Sequence, residues 1–361
     1  MATSFRSARR RRSCAGAFPP CLASSRGGKG AQTSTRRRRV SGRARSGREF
    51  ILALVPSGIS VIIASHNTRA YLARCLSEIG DNHEVIVVDS ASTDGSRELV
   101  RTSFPRVRLV ELDRNRGYGA ALNEGIAEGS GDYLLLMNAD AWPRPNAIER
   151  LVEFANREPQ VGIVGPRLLN LDGALQPSVR GFPTLWRLAT EYLFLRWLAP
   201  WSRTVNAFYG SRFDHRSRRE AEFLVGAVLL VRQRLLDEIG RFDTRFFMFN
   251  EEVDFCYRAR AAGWSVVFWP GAEFVHAGGA STSQAWSRMY VEQLRSHLRF
   301  LAKHHGLREA DRARKLLAVA MRIRALVFAI VGRPRRQKVS LDAARWLRSG
   351  DANTLLRSGH L

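Results

Sequence analysis

From Ile59 onward the chain alternates between short apolar runs and amphipathic stretches. Ile59 to Ser65 (ISVIIAS) and Glu84 to Ser90 (EVIVVDS) are apolar without a polar alternation, which predicts strands buried on both faces. A helix is expected around Tyr71 to Ile79 between them. A second helix should begin near Asp94 and Gly95, followed by a short strand over Val107 to Leu112, a helix from about Gly119 to Glu128, and a strand over Tyr133 to Met137. Four strands with helices between them imply a parallel α/β sheet. Right-handed crossovers then bring the C-terminal loops to one edge. Asn67, Asp89, Asn115 and Asp140 all fall on that edge, the side on which open α/β sheets bind ligands.

The rest of the chain divides by composition. Of the formal net charge of +24, fourteen Lys and Arg against Glu49 alone put +13 in residues 1–50, leaving +11 for the other 311 residues. This first segment has too few apolar residues to offset its ordering entropy, so it is expected to be disordered over 1–56. It has an organellar transit-peptide character but lacks the interleaved aromatics of a nucleic-acid stacking platform, so no specific nucleic acid is expected. Cys14, Cys21, Cys75 and Cys256 show no disulfide or zinc spacing, which fits a reducing, cytoplasmic setting. Leu316 to Val331 is too short to span a bilayer and is broken by Arg322 and Arg324; it reads as an interfacial helix.

The edge loops carry chemistry suited to a nucleotide. Ser65 to Asn67 puts a hydroxyl and an amide after a buried strand, and Asp89 can accept from a base N–H. Ser92 and Asp94 fit either nucleotide contact or the capping of the next helix. Arg114 to Gly125 (RNRGYGAALNEG) offers bare backbone N–H groups near a phosphate. It is not GxGxxG, and the first strand lacks a glycine turn, which argues against a nicotinamide enzyme. YLLLMNADA, Tyr133 to Ala141, ends in Asn138 and Asp140, a metal-binding carboxylate or a polar turn at a strand end.

SVIIASHN, VIVVDSASTDGS, NRGYGAALNEG and LLLMNADA, in this order and spacing, resemble family 2 glycosyltransferases of the GT-A fold, and most of all the bacterial rhamnosyltransferase-like members. The resemblance covers about Ile59 to Leu301. It implies a mostly parallel sheet flanked by helices, with a nucleotide-sugar-binding half over 57–166, an acceptor half over 167–305, and a basic helical extension over 306–361. The nucleotide contacts it implies are Ser65, Asn67, Asp89, Ser92, Asp94, Asn115, Gly117, Asn123 and Asn138. In the later stretch GRFDTRFFMFNEEVDFCYRARAAGW, Gly240 to Trp264, it implies a catalytic base at Glu252, with Glu251 and Asp254 as alternatives. Glu252 stands where Asp is common in the family. The apolar FFMF before these acids should hold their turn against the core.

After a strand over Trp264 to Trp269, the resemblance makes His276 a metal ligand beside Asp140, for Mn2+ or Mg2+. It further implies inverting transfer from a nucleoside-diphosphate sugar, dTDP-rhamnose being favoured, to a glycan or lipid-linked acceptor in cell-envelope polysaccharide synthesis. Phe223 to Gln233 reads as a strand leading into a helix, and Thr184 to Trp201, rich in Trp, Leu and Arg, reads as core packing in preference to a lipid-facing surface. The basic stretch from Arg312 to Lys338 predicts peripheral contact with the inner face of the plasma membrane. Two rival functions fit less well. A sugar nucleotidyltransferase should show a glycine-rich loop after Val61, where none stands; an inactive nucleotide- or nucleic-acid-binding protein has no need of Asp140, Glu252 and His276 together.

Overall fold

A computed structural model describes residues 58–278 and 286–352. The expectations for residues 1–56 lie outside the described residues. The strands are β1 (Ile59–Ser65), β2 (Glu84–Asp89), β3 (Arg108–Glu111), β4 (Tyr133–Asn138), β5 (Ala141–Pro143), β6 (Val161–Leu169), β7 (Leu175–Gln176), β8 (Val179–Arg180), β9 (Arg219–Glu220), β10 (Phe223–Leu224), β11 (Val228–Arg232) and β12 (Ser265–His276). The helices are α1 (Arg69–Ile79), α2 (Ser96–Ser103), α3 (Tyr118–Glu128), α4 (Ala147–Arg157), α5 (Leu185–Tyr192), α6 (Leu195–Leu198), α7 (Gln233–Ile239), α8 (Glu251–Ala261), α9 (Trp286–His305), α10 (Leu307–Ile330) and α11 (Pro334–Trp346).

The main sheet runs β3-β2-β1-β4-β11-β6-β12-β5. β3, β2, β1 and β4 are mutually parallel, as the apolar runs predict. β11 enters antiparallel between β4 and β6, β12 lies parallel to β6, and β5 closes the edge antiparallel to β12. The result is a mostly parallel α/β sheet, with β11 and β5 reversed. Both faces are covered, which is why the strands are apolar throughout. Val61, Ile63, Leu135 and Met137 face a core shared with α1 and α4. Their neighbours Ile62, Leu134 and Leu136 face a second core with α3 and α8. Fully burying each such side chain contributes about 1.5–3 kcal/mol.

Other elements depart from the sequence pattern. β6 and α4 are additional to the expected elements, and Phe223 to Gln233 is two strands broken at Val225 to Ala227 before α7 begins. The strand expected over Trp264 to Trp269 continues to His276 through a register shift between Trp269 and Glu273. A third core joins α5 to α9, α10 and α11 through Leu188, Leu298, Leu317 and Ala343. The division expected at 305/306 therefore falls inside one packed helical cluster.

The stretch Thr184 to Trp201 is core only in part. Leu188 and Tyr192 are buried, whereas Trp186, Trp197, Leu198 and Trp201 are exposed, the last three by 70% or more. α10 likewise buries one face against its neighbours and exposes Val319, Ile323, Leu326 and Ile330, an apolar stripe at helical spacing. The interfacial helix expected there is packed along one face and free along the other. Cys75 and Cys256 are buried free thiols.

Candidate active site

Strand direction brings the site together. Register pairs Ser65 with Asp89 and Ala64 with Asn138, so the ends of β1, β2 and β4 lie level. β5 folds back after β4 and pairs with β12, setting Ala141 opposite His276. This register carries His276 to Asp140, 3.3 Å from His276 Nε2 to Asp140 Oδ1, although 136 residues separate them. The Ala277 N–H donates to the Asp140 carbonyl at 2.9 Å and locks the pairing.

His276 Nδ1 lies 2.6 Å from Gln176 Oε1. Donation to that amide oxygen places the ring proton on Nδ1 and leaves the Nε2 lone pair facing Asp140, with Asn138 Nδ2 3.2 Å away. An imidazole lone pair and a carboxylate oxygen 3.3 Å apart suit a divalent cation, since adjacent octahedral ligands at about 2.1 Å from an ion stand roughly 3 Å apart. Among the described residues no group of three or more His, Cys, Asp and Glu side chains could hold an ion. An ion bound between them would have these two protein donors and would draw the rest of its shell from elsewhere.

Opposite stand Glu251 and Glu252, in the first turn of α8. Burial, and next the charge of Glu252, push the Glu251 carboxyl well above the usual carboxylate range. Burial also pushes Glu252 up to about 7, against backbone hydrogen bonding at Glu252, Val253 and Asn250. One oxygen of each carboxyl, Oε2, is buried without a hydrogen-bond partner. Glu251 is 3% exposed and Glu252 is half-buried, so Glu252 is the more accessible of the two.

The acids ride on a constrained turn. Phe249 and Asn250 both adopt left-handed backbone, φ +65° and +64°, which costs non-glycine residues on the order of 1 kcal/mol each. Helix α9 braces the turn: Ser296 Oγ donates to the Met248 carbonyl at 2.9 Å, and Asn250 Nδ2 lies 2.9 Å from His297 Nδ1. The expected packing of FFMF is seen in Phe246, which is fully buried.

Together these groups line one cleft of about 400 Å³, walled by Ser65, Asn115, Gly117, Asn138, Asp140, Glu251, Glu252 and His276 among others. Asn67, Asp89, Ser92, Asp94, Asn123 and Asp254 do not line it. Asn67 accepts from the Thr93 N–H at 2.8 Å, and its own N–H donates to Ser92 Oγ at 2.9 Å, tying the first two edge loops together. Asp94 accepts from the N–H groups of Arg69 and Ser96, so it serves the starts of α1 and α2. Asp89 is buried beneath the edge; its Oδ1 accepts from Ser92 N at 2.9 Å and Arg97 Nε at 2.5 Å, while Oδ2 has no partner.

Asn123 spends its amide on the backbone of Phe242, at 2.8 and 3.0 Å. Asp254 points away from the cleft into Arg258, Lys303 and His304. Burial would raise its pKa, but hydrogen bonds from His304 and Lys303 outweigh it and hold the carboxyl below the usual range. The glycine loop also departs from expectation. At Gly117, φ is +99°, and a Cβ would stand 2.2 Å from the Phe247 carbonyl oxygen. Its N–H goes to Asn115 Oδ1, and that of Tyr118 goes to Phe247 O. These N–H groups are engaged within the protein; the glycine admits the acid-bearing loop.

Four contributors carry no signal in the sequence pattern. Gln176 orients His276, His297 braces Asn250, Tyr118 donates to the Gly226 carbonyl at 2.8 Å beside the acids, and Arg288 lines the cleft mouth from α9. Of these only Tyr118 stands in a motif, NRGYGAALNEG, and its Gly226 partner, like the contacts of the other three, is set by the tertiary fold.

The chain is similar to known proteins. A family model described as glycosyl transferase family 2 matches residues 60–240. An N-acetylglucosaminyl-diphospho-decaprenol L-rhamnosyltransferase of Mycobacterium tuberculosis is 31% identical over 307 residues, spanning 80% of this chain and 98% of that protein. An undecaprenyl-phosphate 4-deoxy-4-formamido-L-arabinose transferase of Aeromonas hydrophila is 37% identical over 27% of this chain and 33% of its own length. Among solved structures, a Pyrobaculum calidifontis mannosyltransferase in complex with GDP-Man and Mn2+ aligns with a TM-score of 0.48 and 18% identity, covering 81% of this chain and 88% of that one. That likeness is too loose to transfer residue roles.

Proposed function

The chain belongs to glycosyltransferase family 2, and from that premise we propose that it moves L-rhamnose, with inversion, from dTDP-rhamnose to a saccharide on a polyprenyl diphosphate. The observation that carries the reading is the convergence of Asp140 and His276 with Glu251 and Glu252 on one cleft at the C-terminal edge of the sheet. The sugar and the acceptor follow the activity of the mycobacterial relative, which matches nearly end to end. The same activity supports a role in cell-envelope polysaccharide synthesis.

Glu252, with a pKa near neutrality, takes the proton from the acceptor hydroxyl. The freed oxygen attacks the anomeric carbon, the bond from that carbon to the diphosphate oxygen breaks, and the nucleoside diphosphate departs with the electron pair. Burial and the neighbouring Glu252 charge bias Glu251 toward its protonated form, which keeps a second negative charge away from the base. Asp140 and His276 would hold a divalent ion, Mn2+ favoured over Mg2+ by the imidazole donor, whose positive charge offsets that on the leaving diphosphate. Arg288 adds a cation at the mouth. Asp89, buried beneath the edge and bonded to Ser92 N–H and Arg97, supports from below the loops on which a base would lie. Asn67, Ser92 and Asp94 shape the loops around that base.

The exposed Trp186, Trp197 and Trp201, the apolar stripe of α10 and the nearby Arg333, Arg335 and Arg336 support peripheral contact with an anionic membrane face. No helix among the described residues is long and apolar enough to cross a membrane.

The test is release of nucleoside diphosphate from a panel of dTDP-, UDP- and GDP-sugars by the full chain, with Mn2+ and a saccharide-diphosphate-lipid acceptor. Release from one donor, lost in Asp140→Ala, is expected. Absence of both turnover and donor binding overturns the reading.

A further inference from the structure

Beside the cleft, and sharing Phe247, Arg288 and Met289 with it, lies a second pocket of roughly 580 Å³. The acid-bearing loop, α9 and α11 enclose it. Positions 288, 292, 295 and 299 of α9 lie on one helical stripe facing it. Among the described residues the lining holds four arginines against one acid.

The charges do not cancel locally. Arg245 is engaged by Asp243 at 2.6 Å and Arg295 by Glu292, but neither Arg288 nor Arg299 has an ion pair among the described residues. Two donors at this pocket, Arg299 Nε and Trp346 Nε1, are buried without an acceptor. An unmatched buried N–H is costly to leave without an acceptor, so two beside one arginine-lined pocket call for an anion. Arg299 Nη1 donates to the Arg245 carbonyl; burial lowers the Arg299 pKa, and the charges of Glu292 and Asp243 offset this only in part. The remaining walls, Phe247, Met289, Val291 and Trp346, are apolar, as a phosphate attached to a hydrocarbon requires.

We propose that this pocket receives the diphosphate of the lipid-linked acceptor, held by Arg295, Arg299 and Trp346, while the donor diphosphate occupies the Asp140 side of the cleft. This rests on the acceptor class proposed above. The helical cluster thereby acquires a role in binding, in which α9 and α11 hold the anchor of the acceptor and the shared wall at Phe247 and Arg288 hands its sugar to Glu252.

The experiment measures equilibrium binding by the full chain in EDTA, so that no metal-bound diphosphate contributes. The probes are farnesyl diphosphate, farnesol, inorganic pyrophosphate and dTDP. Farnesyl diphosphate should bind wild type and Asp140→Ala equally, more tightly than pyrophosphate or farnesol, and about tenfold or more weakly to Arg299→Gln. Trp346→Phe, which removes the N–H with the five-membered ring of the indole and keeps an aromatic face, should weaken it in the same direction and keeps the proposal testable if the arginine variant fails to fold. Loss of binding in Asp140→Ala, displacement by dTDP, equal affinity for pyrophosphate, no binding at all, or unchanged binding in both pocket variants would each overturn it. Retained diphosphate binding alongside failed sugar transfer would instead count against the proposed function alone.

Discussion

Asn250 Nδ2 donates to His297 Nδ1 across 2.9 Å, and both side chains are buried. This contact fastens the left-handed turn that delivers Glu251 and Glu252 to helix α9, 47 residues further along the chain. Burial pushes His297 down to about 4, so at neutral pH the ring is uncharged and its lone pair accepts. His297→Ala should lower stability by about 1–3 kcal/mol, the cost of an orphaned buried amide. It should also lower kcat with little change in donor affinity, because the turn can relax away from the acceptor. Denaturant melts and steady-state kinetics check both; wild-type kcat in a folded variant sinks the bracing role.

The elevated Glu252 pKa has two consequences. As the base, it must be ionised, so kcat/KM should rise with unit slope and level off above a midpoint near pH 7. Glu252→Gln should lose about 10²–10⁴ in rate. For stability, the folded state binds a proton on Glu252 that the unfolded chain has released. Stability from this group therefore falls as pH rises from the ordinary carboxylate range through about 7. Relative to wild type, Glu252→Gln should match it near pH 4 and become progressively more stable toward pH 8. A variant less stable at pH 8 contradicts this assignment.

Gln176 touches no substrate in the proposed mechanism; it fixes the His276 ring through Nδ1 at 2.6 Å. Gln176→Ala should weaken Mn2+ activation by roughly 10–100-fold and recover at high Mn2+. Asp140→Asn should recover at no Mn2+ concentration. Titrations of activity against metal distinguish the two patterns.

Gly117→Ala adds one methyl where the Phe247 carbonyl stands 2.2 Å away and where φ is +99°. Neither the backbone nor that oxygen yields cheaply, so the acid-bearing loop must move. Activity should fall sharply while the metal-binding residues stay intact, with a stability loss of about 1–3 kcal/mol. Full activity in this variant would show that the close approach has no bearing on the site.

Trp197 and Ile330 are exposed by 73% and 76%. Replacing both with Ser should reduce co-sedimentation with anionic vesicles and leave turnover of a water-soluble acceptor unchanged. High salt should weaken wild-type binding through the basic residues around α11. Equal binding to neutral and anionic vesicles would remove the electrostatic part.

Much of the nucleotide half was legible from pattern alone. The apolar runs at Ile59, Glu84 and Tyr133 located three parallel strands to within a residue or so, because a strand buried on both faces admits only apolar side chains. Asp140 announced itself as a carboxylate at a strand end. Asn123 did not disclose its role: a polar residue in a motif looks the same whether it meets a ligand or, as here, the backbone of Phe242. Asp254 stood among acids, and local sequence does not record that its turn of the helix faces Lys303 and His304.

The sequence by itself determined the four strands of the nucleotide half, their order of appearance, the family and the two acidic motifs, because periodicity and short motifs are written in neighbouring residues. Only the tertiary structure decided that β5 and β12 pair in the register that joins Asp140 to His276, that Gln176 sets the imidazole proton, and that α9 holds the turn carrying Glu252. Those relations span about 50 to 140 residues, and long-range register and packing are set by the global burial of apolar surface, which no local window contains.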